Sequence, residues 1–281
     1  MDQLSGKVAV ITGGASGIGL ATARLLAGRG MRIALADIEA DSLAVAVAEI
    51  RDLGAEAMGV VTDVSDYDSV AKLRDQVLDA WGAVYFLFNN AGVGGGSLID
   101  SPPKVWEWVL GVNTFGVAWG IHAFLPTMLS ANEGHIINTA SLAGLGGVPG
   151  MGPYSASKFA VVGTSESLLY ELDQRGSKVS CSVLCPGFVR TRIHEADRNL
   201  PDEVAASMDL DAYKAGQSIT EDIIEAGLDV DIVANAVVEA LDDRRFWILT
   251  HERAALGMTK RRLAWMEGGD APGTNLERAT R

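Results

Sequence analysis

The sequence predicts an α/β fold: a single domain built on a doubly wound parallel sheet of about seven strands, with helices on both faces. Three observations predict it. Short β-branched apolar runs alternate with longer helical patterns along most of the 281 residues. A glycine-rich turn separates the first run from the first helical segment. Residues suited to ligand contact recur where the apolar runs end, and in a parallel sheet those ends form one edge.

The first strand is expected at 7–12, followed by the turn Gly13-Gly14-Ala15-Ser16-Gly17-Ile18-Gly19 and a helix over 20–29. Strand, glycine turn and helix together suit a pyrophosphate. Gly13 permits the tight turn, Gly17 lets the backbone approach phosphates, Gly19 allows close packing, and the helix start offers free N–H groups. A second strand at 32–37 ends in Asp37, about 20 residues past the glycines. An acid there hydrogen-bonds both ribose hydroxyls of adenosine and repels a 2′-phosphate. No Arg or Lys sits in the glycine turn or just after Asp37. This favours NAD over NADP.

A helix over 40–53 stops at Gly54, and a third strand at 57–61 leads to Asp63 and Val64. Asp63 suits either the adenine amino group or a capping role. A helix follows at 67–81, then a fourth strand at 84–88 that runs into Asn89-Asn90-Ala91-Gly92. Buried amides need partners, so Asn89 and Asn90 either stitch strands or line a cleft. Asn90 is read as structural, beside a backbone path at Ala91 and Gly92. One helix is expected over 104–131, with Asn113 against its local preference in the middle. Trp119, His122 and Phe124 on this helix read as core or subunit-contact residues.

A fifth strand at 135–141 ends in Ser141, and a glycine-rich stretch to 153 would wrap a pocket. A helix over 154–175 and a strand at 178–184 follow, then Cys185-Pro186-Gly187. Residues 193–231 are acid-rich and weakly periodic, and a connection that long suggests a lid or binding loop. A helix at 232–241, a last strand at 246–250 and a helix at 254–266 complete the pattern, and the end from 268 reads as loose.

Composition narrows the function classes. With 48% hydrophobic and 21% charged residues the chain is of ordinary globular type. A net charge of −13 without a basic cluster argues against nucleic acid and anionic membranes as partners. No leader pattern or ~20-residue apolar run is evident, so a cytoplasmic location is expected. Cys181 and Cys185, four residues apart on one strand, lie about 13 Å apart, too far for a disulfide. No ligand cluster suggests a metal.

Within Tyr154-Ser155-Ala156-Ser157-Lys158, Tyr154 and Lys158 fall one turn apart on the same helix face. A phenol titrates near pH ~10. A nearby cation favours the phenolate and suits it to acid/base work.

These motifs resemble the short-chain dehydrogenases/reductases. The matching pieces are the turn at 12–19, Asp63-Val64, Asn89-Asn90-Ala91-Gly92, Asn113, Ser141, Tyr154 with Lys158, and Pro186-Gly187 with Thr191. They stand in that family's order over about residues 5–251. The long acidic segment after Thr191 and the extra carboxyl-terminal stretch depart from its pattern. The resemblance implies a Rossmann-type sheet with 193–231 as a substrate loop and 252–281 as an extension. It implies that Tyr154 exchanges a proton with the substrate oxygen and that Lys158 lowers its pKa and holds the nicotinamide ribose. It implies that Ser141 bonds the reacting oxygen and that Asn113 holds a water linked to Lys158. The cofactor positions it implies run from Gly13, Ser16, Gly17, Ile18 and Gly19 through Asp37, Asp63 and Val64 to Asn90, Ala91 and Gly92. Beyond Tyr154 and Lys158 they include Pro186, Gly187, Val189 and Thr191. A homo-oligomer, tetramer or dimer, pairing helices 104–131 and 154–175, is likewise implied.

Around the expected pocket, Leu142, Leu145, Val148, Met151, Phe188 and Ile193 point to a lipophilic small-molecule substrate, a secondary alcohol or ketone. A nucleotide-sensing protein without turnover and an NAD-using epimerase or isomerase are the alternatives.

Overall fold

The structure, a computed structural model, describes residues 3–210, 221 and 223–270. Seven strands form one sheet: β1 (Val8–Thr12), β2 (Arg32–Asp37), β3 (Ala57–Val61), β4 (Phe86–Asn89), β5 (His135–Thr139), β6 (Ser180–Leu184) and β7 (Trp247–Ile248). Their order is β3-β2-β1-β4-β5-β6-β7, and every neighbouring pair is parallel. The order reverses between β1 and β4. Connections leave these two strands in opposite directions, which opens a crevice beyond their carboxyl ends.

Side chains alternate across each strand, so β1 and β2 feed two cores. Ala9, Ile11, Ile33 and Leu35 pack with helices α1 (Gly17–Gly28), α2 (Ala40–Asp52) and Val230–Asp243. Val8, Val10, Ala34 and Ala36 pack on the other face, with α3 (Tyr67–Trp81), α5 (Gly116–Ala131) and α6 (Gly152–Gln174). All five residues of β1 are buried, the pattern of a central strand covered on both faces. Each fully buried aliphatic such as Ile11 contributes ~2 kcal/mol by leaving water.

Several boundaries differ from the sequence pattern. Helix α1 begins at Gly17, three residues early, directly from the turn, and Gly17 itself holds a φ of +53°. β5 stops at Thr139, so Ser141 lies in the loop beyond it. β7 shrinks to two residues, since only β6 borders it. Helix α4 (Pro103–Leu110) runs into α5 through a π-helical turn, Gly111–Phe115. The combined helix, 103–131, is long and apolar enough to cross a membrane, with a mean hydropathy of 1.3 over its best window. Of that window 44% is buried inside the protein, as in a core helix lying on a sheet.

The connection after β6 is closed at its base. Val189 bridges Leu228 in parallel, and Arg190 pairs with Asp229. Inside this loop lie a 3-10 segment, Arg192–Asn199, and a short helix, Asp202–Ala205. Asp211 and Asp222 of the acidic stretch, and the end from 271, fall outside the described residues. A last helix, Glu252–Met266, follows β7. Cys181 and Cys185 are free and buried, and burial pushes both thiols up to about 12.

Candidate active site

The turn after β1 is built around close backbone approaches. A Cβ on Gly19 would stand 2.2 Å from the Gly13 carbonyl oxygen, and one on Gly13 2.9 Å from Cα of Ala91. Gly13 also holds a φ of +61°, which disfavours any side chain. Ser16, the N-cap of α1, makes no side-chain capping bond. Gly17 and Ile18 line the cavity beyond the sheet, so the helix start presents its first turn to that space. A Cβ on Gly17 would meet the Thr191 methyl at 3.3 Å, which places Thr191 against the turn.

Asp37 closes the same turn from the end of β2. Its two oxygens accept the backbone N–H groups of Ala15 (3.0 Å) and Glu39 (3.2 Å). Burial raises its carboxyl above the usual range, against the pull of these bonds. Asp63 and Val64 line the cavity beside it. The Asp63 carboxylate accepts from the amide (2.9 Å) and hydroxyl (2.7 Å) of Ser65, which is the loop-capping role.

The two asparagines separate in role. Asn89 donates to Asn138 across β4 and β5 at 2.9 Å and packs under Gly120, where a Cβ would lie 2.0 Å from its oxygen. Asn90 donates to the carbonyls of Thr12 and Gly13 (3.2 and 3.3 Å) and accepts the Thr139 hydroxyl at 3.3 Å. It stitches three strand ends together. Ala91 and Gly92 continue along the cavity wall.

Ser141, Tyr154 and Lys158 meet in the middle of this wall. Pro153 in the first turn of α6 suits the helix start. Enclosure by protein raises the Tyr154 phenol, while the Ser141 hydroxyl pulls the other way. Lys158 is fully buried, and desolvation lowers it to about 8. Its Nζ donates to the Thr139 carbonyl at 2.9 Å and lies 5.5 Å from the Tyr154 ring centre.

Asn113 lies in the π-helical turn, completely buried. Its oxygen accepts the Val93 N–H (2.8 Å), and its amide donates to the Val93 carbonyl and the Ser157 hydroxyl, both at 3.0 Å. The side chain thus braces the loop after β4 to α6. Its oxygen keeps a second lone pair, and a Cβ on Gly92 would lie 3.3 Å from that oxygen and 3.5 Å from the Lys158 Nζ. The π turn, a common feature of functional sites, is what aims this amide between the two elements.

Pro186 and Gly187 form the wall opposite. The Pro186 carbonyl accepts the Leu142 N–H at 2.9 Å, and the Gly187 N–H donates to Nδ1 of His251 at 3.0 Å. Val189 lines the cavity next to them. Sequence reasoning missed His251, which sits 64 residues from Gly187.

The cavity measures about 480 Å³, within the range of small-molecule sites. Leu142, Val148, Met151, Phe188 and Ile193 line it as expected, whereas Leu145 turns away into a core cluster with Val161. Trp108 and Met258 were not foreseen. Met258 comes from the last helix and lies against Gly146, where a Cβ would be 2.7 Å from its Cε. Arg192 and Arg198 also line the cavity, at the end bordered by Asp37 and Glu39. The absence of a cation near Asp37 in sequence therefore does not carry over into space. Among the described residues no group of three or more His, Cys, Asp or Glu is placed to hold a metal.

A parallel sheet with a glycine turn, an acid-ended second strand and an enclosed Tyr–Lys turn at one edge defines a nucleotide-dependent oxidoreductase. The chain belongs to the short chain dehydrogenase family, whose sequence model matches residues 7–202. A dehydrogenase/reductase of CLA biosynthesis from Lactiplantibacillus plantarum is 35% identical over 89% of this chain and 90% of its own. The crystal structure of a short chain dehydrogenase/reductase from Burkholderia phymatum in complex with NAD superposes with a TM-score of 0.91. It is 43% identical, over 98% of this chain and 100% of the other. A metagenomic short-chain oxidoreductase in complex with NADP has a TM-score of 0.63 and 38% identity, over 73% of this chain and 93% of the other. The family and these complexes support a nicotinamide cofactor.

Proposed function

We propose that the chain is an NAD-linked oxidoreductase that interconverts a lipophilic secondary alcohol and its ketone, with Tyr154 as the acid/base. The observation that carries this reading is Tyr154, sharing the cavity wall with Ser141 and one helical turn from buried Lys158, facing a cavity with an apolar wall. Asp37, engaged by the glycine turn, supports NAD over NADP because its charge repels a 2′-phosphate.

The cradle suits a dinucleotide. Gly13, Ser16, Gly17, Ile18 and Gly19 would hold the pyrophosphate, Asp37 the adenosine ribose, and Asp63 with Val64 the adenine. Asn90, Ala91 and Gly92 would flank the cofactor, and Pro186, Gly187, Val189 and Thr191 would take the nicotinamide end. When bound, the oxidised nicotinamide supplies the hydride acceptor and a positive charge beside Tyr154.

In alcohol oxidation Tyr154 takes the hydroxyl proton, and in ketone reduction it returns it. Ser141 donates a hydrogen bond to the reacting oxygen and keeps it within reach of the phenol. Lys158 is held by Thr139 at the site and stabilises phenolate by its charge. Asn113 acts as a positioning residue, fixing α6 and hence Tyr154 against the loop after β4. The loop after Thr191 and the last helix, through Ile193 and Met258, form the substrate side of the cavity. The aromatic face of Phe115 and Trp119, stacked at 5.6 Å with Phe115 half exposed, supports an oligomer formed through α4, α5 and α6.

A panel of lipophilic secondary alcohols with NAD, followed by the absorbance of NADH, tests the activity. Turnover of at least one member is expected; none across a broad panel, with ketones and NADH equally inert, would refute the reading.

A further inference from the structure

The residues that tie the loop after β6 to the far end of the cavity converge on one carboxylate. Glu39 stands two residues beyond Asp37 and donates its backbone N–H to it at 3.2 Å. Its side chain accepts Nε of Arg198 at 2.6 Å and Nδ2 of Asn199 at 2.9 Å, and Arg192 comes within 4.0 Å of its second oxygen. Burial alone would raise this carboxyl; the bonds from Asn199 and Arg198 outweigh burial and hold it below the usual range. All of these residues line the same cavity as Asp37.

Arg192 and Arg198 are the two arginines among the described residues lining that cavity. A guanidinium is the group that best recognises a phosphate. Beside the acid that would bind the adenosine ribose, a free guanidinium would reward a 2′-phosphate. Arg198 is not free. Its Nη1 donates to the carbonyls of Arg192 (2.9 Å) and Glu195 (2.8 Å), while Glu39 takes its Nε. The two carbonyls would keep the guanidinium in place without Glu39, with its Nε unpaired.

We propose that Glu39 is a second specificity-determining residue for the cofactor, which acts by neutralising Arg198 at the adenosine end of the cavity. This rests on the NAD preference proposed above and adds to it: Asp37 repels a 2′-phosphate, and Glu39 withdraws the cation that would attract one. Glu39 also pins the loop segment 192–199 over the cavity through the same contacts.

The test is direct binding of NAD and of NADP to the wild type, Glu39→Gln, Arg198→Gln and the double variant, by calorimetry. Glu39→Gln is expected to tighten NADP by about tenfold or more, the worth of a charge-assisted bond. The double variant is expected to lose that gain, and Arg198→Gln alone to leave NADP binding as in the wild type. Unchanged NADP affinity in Glu39→Gln would overturn the proposal. So would a gain that persists in the double variant, since Glu39 would then act by its own repulsion. Should Glu39→Gln fail to fold, weakened NADP binding in Arg198→Gln would overturn it independently. Wild type that binds NADP as tightly as NAD would refute the NAD preference instead, and is read from the wild type alone.

Discussion

The Lys158 ammonium lies 5.5 Å from the centre of the Tyr154 ring and donates its hydrogen bond to Thr139. The lysine is thus held by the strand end and acts on the phenol through space. Tyr154→Phe is expected to cut turnover by ~10²–10⁴ and leave NAD affinity within a few fold. Steady-state rates with calorimetric binding would check this. Activity close to wild type would sink the proposed mechanism.

Lys158 also carries a stability cost. Its folded value is about 8 against an ordinary 10.5. Between these values the unfolded chain holds more protons than the folded one. Stability therefore rises with pH across this window, and the cost is fully present below pH 8. At ~1.4 kcal/mol per pH unit the cost approaches about 3 kcal/mol. Lys158→Met should lose activity yet unfold at higher denaturant near neutrality, less about 1 kcal/mol for the unpaired Thr139 carbonyl. Urea titrations at pH 7 and 10 would show the wild type gaining on the variant as pH rises.

His135 is held neutral in the sheet between the Ser180 and Ser182 hydroxyls (3.0 and 2.6 Å). Burial lowers it to about 3 from an ordinary 6.5. Below pH 6.5 the unfolded chain gains a proton that the folded one refuses, so stability is lost as pH falls toward 3. By pH 4 the loss reaches about 3 kcal/mol. His135→Gln should flatten this limb, measured as denaturant midpoints between pH 4 and 7. Parallel curves for wild type and variant would contradict it.

Asn113→Ala removes three buried hydrogen bonds and strands the Val93 amide and carbonyl. A destabilisation of ~2–4 kcal/mol is expected. Because Gly95 packs on the Tyr154 backbone, kcat should fall more than NAD affinity. Thermal unfolding and kinetics of the purified variant would check both, and an unchanged melting temperature would exclude the bracing role.

Met258→Ala enlarges the cavity from the side of the last helix. Discrimination against a bulkier substrate should relax by ~10-fold or more in kcat/KM, with NAD binding unchanged. Identical substrate ratios in wild type and variant would remove Met258 from the substrate wall.

Much of this protein was legible without coordinates. The glycine turn, Asp37 and the Tyr154–Lys158 turn are written in short stretches, and their meaning depends on local rules of φ, strand ends and helical spacing. The parallel sheet follows once strands and helices alternate, whereas its order, β3-β2-β1-β4-β5-β6-β7, does not. What tertiary structure alone decided involves residues far apart in the chain. Arg198 reaches Glu39 across 159 positions, Met258 reaches Gly146, and His251 reaches Gly187. No periodicity encodes such meetings. The sequence marks Asn113 by its breach of helix preference, and only the packing shows that it braces Val93 and Ser157. Tyr154 and Lys158 show the same division. The sequence by itself determined that a phenol and an ammonium share a helix face. Only the packed structure determined how much water they lose, because burial is set by the elements that close over that face.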